Sequence, residues 1–192
     1  MIAVQTFEQD TNVYEFPDEC VVMPDFDKKP FFTKLSGAQA IHAKGCDIIA
    51  IPDEVTLYLI EAKDYSHSNP SEKPPKAPKL AWTIASKSFD TLACLMVGAT
   101  RSEDVETTDF CRKALACTRI VVCATVEPSR RVDVQNKADN RYMMQLRECL
   151  RREAKAGEER AGYFRDAECG NRQERQILDI TLGDISRLIV VL

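Results

Sequence analysis

The stretch Lys44-Gly45-Cys46-Asp47-Ile48-Ile49-Ala50-Ile51-Pro52-Asp53-Glu54-Val55-Thr56-Leu57-Tyr58-Leu59-Ile60-Glu61-Ala62-Lys63 decides the fold. Two β-rich apolar runs flank Pro52-Asp53-Glu54, which supplies turn chemistry, so the segment reads as a β-hairpin. Residues two apart on a strand share a face, which points Glu61 and Lys63 the same way. With a three-residue loop through Asp53, Glu54 and Val55, Asp47 lies opposite Glu61 and shares that face. Two carboxylates and one ammonium then converge at the end of an otherwise apolar hairpin. Charges placed beside Ile49, Ile51, Leu57 and Leu59 are costly unless a cation or a partner compensates them.

Working outward, residues 66–79 hold four prolines and three lysines and read as an extended loop. From Leu80 to Gly98 the apolar residues at 80, 84, 92, 95 and 96 fall at helical spacing, with Gly98 as the expected stop. Ile120 to Val126 is a continuous apolar run suited to a strand buried on both faces. Residues 138–160 read as a charged helix with Tyr142, Leu146 and Leu150 on one side, and Leu188 to Leu192 as a short last strand. The first 34 residues mix short apolar pieces with acids and prolines, which suggests short strands and loops. The order predicts a single α/β domain over residues 1–192: a mixed β-sheet with a central hairpin and flanking helices. Residues 1–34 form its acidic leader and 35–192 its α/β core.

Composition narrows the field without naming a function. The chain has 192 residues, 44% apolar and 29% charged, which excludes fibrous and wholly disordered classes. No apolar run approaches the roughly 20 residues of a membrane span. Residues 1–10 lack a basic segment and meet Glu8 early, so they do not read as a secretory signal, and the expected compartment is the cytoplasm. Net charge is −4, but residues 1–27 carry seven acids and no Lys or Arg, leaving 26 basic against 23 acidic residues beyond them. A mildly basic body permits a nucleic-acid partner without arguing for one. The eight cysteines show no C-x-x-C pair and read as reduced thiols. His42 and Cys46 lack the two further ligands a zinc site needs.

Acid-x-Lys occurs three times, at 27–29, 61–63 and 153–155. The first lies in a proline-flanked polar stretch. In the predicted helix Glu153 and Lys155 point about 200° apart. Only the middle one ends a buried strand whose hairpin partner carries an acid. Two carboxylates on a rigid strand pair suit Mg²⁺, a hard cation that prefers oxygen ligands. Such an ion can acidify a water and neutralise charge on a phosphoryl group, and Lys63 could orient that water or stabilise the transition state. The alternative from spacing alone is a structural salt bridge between Glu61 and Lys63, with Asp47 near the turn.

Residues 44–51 followed by 57–65 resemble the core of the PD-(D/E)xK, restriction-endonuclease-like nucleases. That resemblance implies a metal-dependent, endodeoxyribonuclease-type hydrolase. Its Mg²⁺ (or Mn²⁺) would be held by Asp47, Glu61 and the main-chain carbonyl of Ala62, with Lys63 aiding water activation. It implies DNA as the substrate, a bacterial or phage setting, and a homodimer or a separate recognition subunit, with no membrane. The terminal strand edge and the acidic leader are the nominated partner surfaces. Many such nucleases carry a further Glu on a helix ahead of the hairpin, whereas residues 34–44 contain no acid and offer only Gln39 and His42. Glu8, Glu15 and Glu19 lie further upstream. Lys73, Lys76 and Lys79 of the loop, and Lys87 of the following helix, are candidate substrate contacts; the bland alternatives are a flexible connection and a solvated helix face. The rival function is a catalytically silent nuclease-like module that binds a protein or nucleic acid.

Overall fold

The computed structural model describes residues 4–9, 12–37, 42–65, 74–127, 137–165, 177–183 and 188–189. Strands β1 (Val4–Gln9), β2 (Asn12–Pro17) and β3 (Val21–Pro24) are followed by a 3-10 turn (Phe26–Lys28) and helix α1 (Pro30–Ser36). The hairpin is β4 (Ile48–Ile51) and β5 (Thr56–Asp64). Helices α2 (Ala77–Arg101) and α3 (Val105–Ala116) lead to β6 (Arg119–Glu127), and α4 (Lys137–Arg165) leads to β7 (Ile177–Gly183) and β8 (Leu188–Ile189). The chain is a mixed α/β fold with two sheets: a five-stranded one in the order β3-β4-β5-β6-β7 and a three-stranded one in the order β1-β2-β8.

The hairpin forms in the register its sequence implies. Ile48 stands opposite Ile60, Ile49 opposite Leu59 and Ala50 opposite Tyr58. β5 then pairs in parallel with β6, Glu61 standing beside Ala124. A central parallel strand is covered on both faces, which explains why 56–62 and 120–126 read as near-continuous apolar runs.

The two faces have different covers. Ile49, Ile51, Leu57 and Leu59 pack under Cys94 and Leu95 of α2 and Phe110 and Cys111 of α3. Leu146 and Leu150 of α4 join Leu80, Ile84 and Val122 on the same side. Ile48, Ala50, Ile60 and Val121 face the small sheet through Tyr14 and Phe16. Tyr14 Oη and Thr125 Oγ1 are hydrogen-bonded at 2.6 Å across that boundary. By strand alternation Asp47, Glu61 and Lys63 belong to the helix-covered face.

Three expectations are corrected. The extended loop ends before residue 77, because Ala77-Pro78-Lys79 form the first turn of α2, where proline's missing N–H costs nothing. Gly98 does not stop that helix, which runs on to Arg101; an added Cβ there would meet Cys111 Sγ at 2.5 Å and the Phe31 ring at 3.0 Å. Its smallness lets α3 and α1 close on α2. The single mixed sheet expected is two: Leu188–Ile189, within the strand expected over 188–192, pairs with β2 at the edge of a smaller sheet, and residues 190–192 lie outside the described residues.

Candidate active site

The end of the hairpin gathers four charged side chains. Asp47 immediately precedes β4, and its Oδ2 accepts the Ala62 backbone N–H at 2.8 Å, which locks it across from β5. Glu61 is completely buried. Its Oε1 receives Lys63 Nζ at 2.5 Å and Lys87 Nζ at 2.6 Å. The same two ammoniums lie 3.9 and 3.7 Å from Asp47. Lys63 also donates to the Ala62 carbonyl at 2.9 Å. The Ala62 side chain points to the opposite face, among Ile60 and Val121, so only its backbone takes part.

Lys87 reaches this cluster from α2. Helical spacing puts it on the less apolar side, yet the helix crosses the strand ends so that this side meets Glu61. The same helix holds the segment entering β4. Asp90 Oδ2 accepts the Lys44 N–H at 3.0 Å and Thr91 Oγ1 accepts the Cys46 N–H at 2.8 Å, the latter bond buried. These anchors fix the backbone from which Asp47 projects. Lys87 is among the candidates the sequence offers, whereas Asp90 and Thr91 are not; their three- and four-residue offsets from Lys87 put all three on one side of the helix.

The electrostatics follow from burial. Desolvation, reinforced by the charge of Asp47, raises the Glu61 carboxyl above its ordinary range against the pull of Lys63 and Lys87. Burial acts to lower Lys87, but the Glu61 carboxylate outweighs it and the ammonium is held more firmly protonated than usual. Burial pushes the neighbouring Cys46 thiol up to about 12, which makes it a packing group, not a nucleophile.

A third acid stands nearby. Asp25 adopts a left-handed backbone (φ 52°) and donates its N–H to the Asp47 carbonyl at 3.0 Å. That turn brings Asp27 beside the site, where burial and then Asp47 raise its carboxyl while Lys87 lowers it. Asp27 sits in the first acid-x-Lys match, which sequence context sets aside; the left-handed turn that places it is not visible in a charge pattern.

Other candidates fall elsewhere. His42 is exposed. Lys76 and Lys79 are exposed at the start of α2, while Lys73 and Gln39 lie outside the described residues. Glu8 and Glu15 are exposed on β1 and β2, and Glu19 is exposed in the turn that follows β2. Cys20, Cys46, Cys94, Cys111 and Cys117 are buried free thiols.

Among the described residues no group of three or more His, Cys, Asp and Glu side chains is arranged to hold a metal ion. The residues present nonetheless suit a hard divalent cation in one respect. Glu61 Oε2 is buried with no hydrogen-bond partner, and such an atom is unfavourable unless something positive meets it. Asp47, Glu61 and the Ala62 carbonyl supply the all-oxygen donor set such an ion prefers.

No family model matches the chain, and no solved structure matches it. One curated protein with a partial likeness is the cysteine–tRNA ligase of Neisseria meningitidis serogroup A / serotype 4A (strain DSM 15465 / Z2491), 39% identical over 89 residues. That segment is 44% of this chain and 13% of the ligase, so the chain spans only a small part of that relative's length.

Proposed function

We propose that the protein is a Mg²⁺-dependent phosphodiester hydrolase of the restriction-endonuclease-like kind, acting on nucleic acid, with DNA as the preferred substrate. The observation that carries this reading is the convergence of Asp47, Glu61, Lys63 and Lys87 at one end of a buried hairpin, with Glu61 Oε2 left unpartnered. Retaining buried charge of this kind costs stability, and carboxylates perturbed by burial and by specific charged neighbours cluster at functional sites.

Asp47, Glu61 and the Ala62 carbonyl would hold the ion. When bound, it would neutralise charge on the phosphoryl group and make a water more acidic. Lys63, 28% exposed at its side chain, can donate to that water or to a phosphate oxygen. Lys87, deeper at 15%, keeps Glu61 ionised and holds its Oε1, leaving Oε2 for the ion. Asp27 can accept a proton or a second cation at the rim. Lys76 and Lys79, exposed at the start of α2, are candidates for backbone phosphates, and Lys73 belongs to the same stretch.

The reading extends to a cytoplasmic protein that works as a homodimer or with a recognition subunit, because no element dedicated to reading a base sequence is legible among the described residues. No described helix is long and apolar enough to cross a membrane.

A second reading has one observation in its favour. Two ammoniums already offset two carboxylates, as a catalytically silent binding module would require. Incubation of the purified protein with double- and single-stranded DNA and RNA, with Mg²⁺ or Mn²⁺ and with chelator, separates the two. Metal-dependent cleavage supports the hydrolase; intact substrates under every condition, from a folded protein, support the silent module.

A further inference from the structure

Lys63 occupies a specific place within the cluster. Its Nζ is 2.5 Å from Glu61 Oε1, 2.9 Å from the Ala62 carbonyl and 3.9 Å from Asp47 Oδ2. These are the three groups assigned above to the divalent ion. Lys87 differs: it meets both carboxylates but makes no bond to the Ala62 carbonyl. A lysine ammonium is a compact point charge on a flexible stem, in effect a monovalent cation tethered to the strand.

Resting on the metal-dependent reading, we propose that Lys63 is a built-in competitor for the cation site, and that its ammonium has to leave before a divalent ion can bind. Lys63 and Lys87 already crowd Glu61 Oε1 and Asp47, and a divalent ion added to the three groups that Lys63 meets would stand against its ammonium with strong repulsion. Both ammoniums meet Glu61 Oε1 and leave Oε2 bare, whereas a divalent ion can draw on both oxygens. Of the two lysines, Lys63 has the route outward, since its side chain is 28% exposed against 15% for Lys87.

Displacement has a functional consequence. An expelled ammonium at the mouth of the site needs a new counter-charge, and a phosphate of the nucleic-acid backbone supplies one. Nucleic acid then strengthens cation binding, and by reciprocity the cation strengthens nucleic-acid binding. Free protein holds its site closed with its own charge, and substrate and ion open it together.

The test is a titration of Mn²⁺, followed by electron paramagnetic resonance, into wild type, Lys63→Met and Lys87→Met at neutral pH. Methionine keeps the stem and removes the charge. Lys63→Met is expected to bind Mn²⁺ about tenfold more tightly, the equivalent of one charge-assisted bond that no longer has to break. Lys87→Met is expected to gain less. A second readout uses reductive methylation with ¹³C-formaldehyde: adding Mg²⁺ should speed modification of Lys63 and leave Lys87 unchanged. If wild type and Lys63→Met bind Mn²⁺ equally, or Lys87→Met gains as much, or Mg²⁺ leaves Lys63 methylation unaltered, the competitor role is overturned while the metal site stands. If neither wild type nor Lys63→Met binds the ion, the metal-dependent reading fails and takes this role with it.

Discussion

Replacing Lys87 by methionine tests the electrostatic logic of the cluster independently of catalysis. Methionine retains the aliphatic stem packed along α2 and removes only the ammonium. Glu61, wholly buried, then loses the 2.6 Å bond to Lys87 and keeps Lys63, and Asp47 loses a cation 3.7 Å away. One charge-assisted bond to a buried carboxylate sets the scale, so a loss of about 2 kcal/mol is expected at pH 7. The dependence on pH fixes the mechanism. The folded Glu61 carboxyl already titrates above its ordinary value of 4.5, through burial and then Asp47, and it rises further without Lys87. A carboxyl raised in the folded state favours folding below its ordinary value, and that contribution is lost as the pH rises through the folded value. Acidification therefore helps the variant more than the wild type, and the gap narrows. Urea denaturation at pH 7 and near pH 4.5, read by circular dichroism, measures it. Equal stability at pH 7, or a gap that widens on acidification, would refute the reasoning.

Three further outcomes probe the scaffold. Thr91→Val removes the buried acceptor of the Cys46 N–H at nearly constant volume and should cost about 1–3 kcal/mol in urea denaturation; its effect on cleavage should exceed that of an exposed substitution on α2, because the segment entering Asp47 loosens. Gly98→Ala places a methyl group 2.5 Å from Cys111 Sγ and should lower stability by about 1–3 kcal/mol, visible as a lower thermal midpoint. Leu150→Ala empties a fully buried position between α4 and the sheet and should cost about 2–5 kcal/mol, with protection from hydrogen exchange falling first along β6.

The parts of the fold legible in the sequence are those whose pattern has one physical solution. Two apolar runs joined by Pro52-Asp53-Glu54 can pair in few ways, and a three-residue loop through Asp53, Glu54 and Val55 sets the register that puts Asp47 beside Glu61. α2 and α4 announce themselves by spacing. α3 does not: its buried side is only Thr107, Phe110, Cys111 and Ala114, too sparse to stand out, although Asp104 caps it through the Thr107 N–H. β7 (ILDITLG) is also not expected from the sequence, where the last strand reads at 188–192. In the site, Asp47, Glu61 and Lys63 follow from strand geometry, whereas Lys87 and Asp27 depend on how a helix and a left-handed turn lie against the strand ends. Long-range placement of that kind leaves no periodic trace.

The central claim is that this cluster cleaves phosphodiester bonds with the help of a divalent cation. Asp47→Asn is the sharpest single change, because asparagine's oxygen can still accept the Ala62 N–H at the position of Oδ2 while the carboxylate charge is lost. Single-turnover cleavage of labelled DNA by folded wild type and Asp47→Asn, with Mg²⁺ in excess, measures it directly. The account predicts chelator-sensitive cleavage by the wild type and a fall of about 100-fold or more in the variant, the scale of losing a group that stabilises transition-state charge. Cleavage by Asp47→Asn at the wild-type rate, or a folded wild type that cuts no nucleic acid with Mg²⁺ or Mn²⁺, would contradict it.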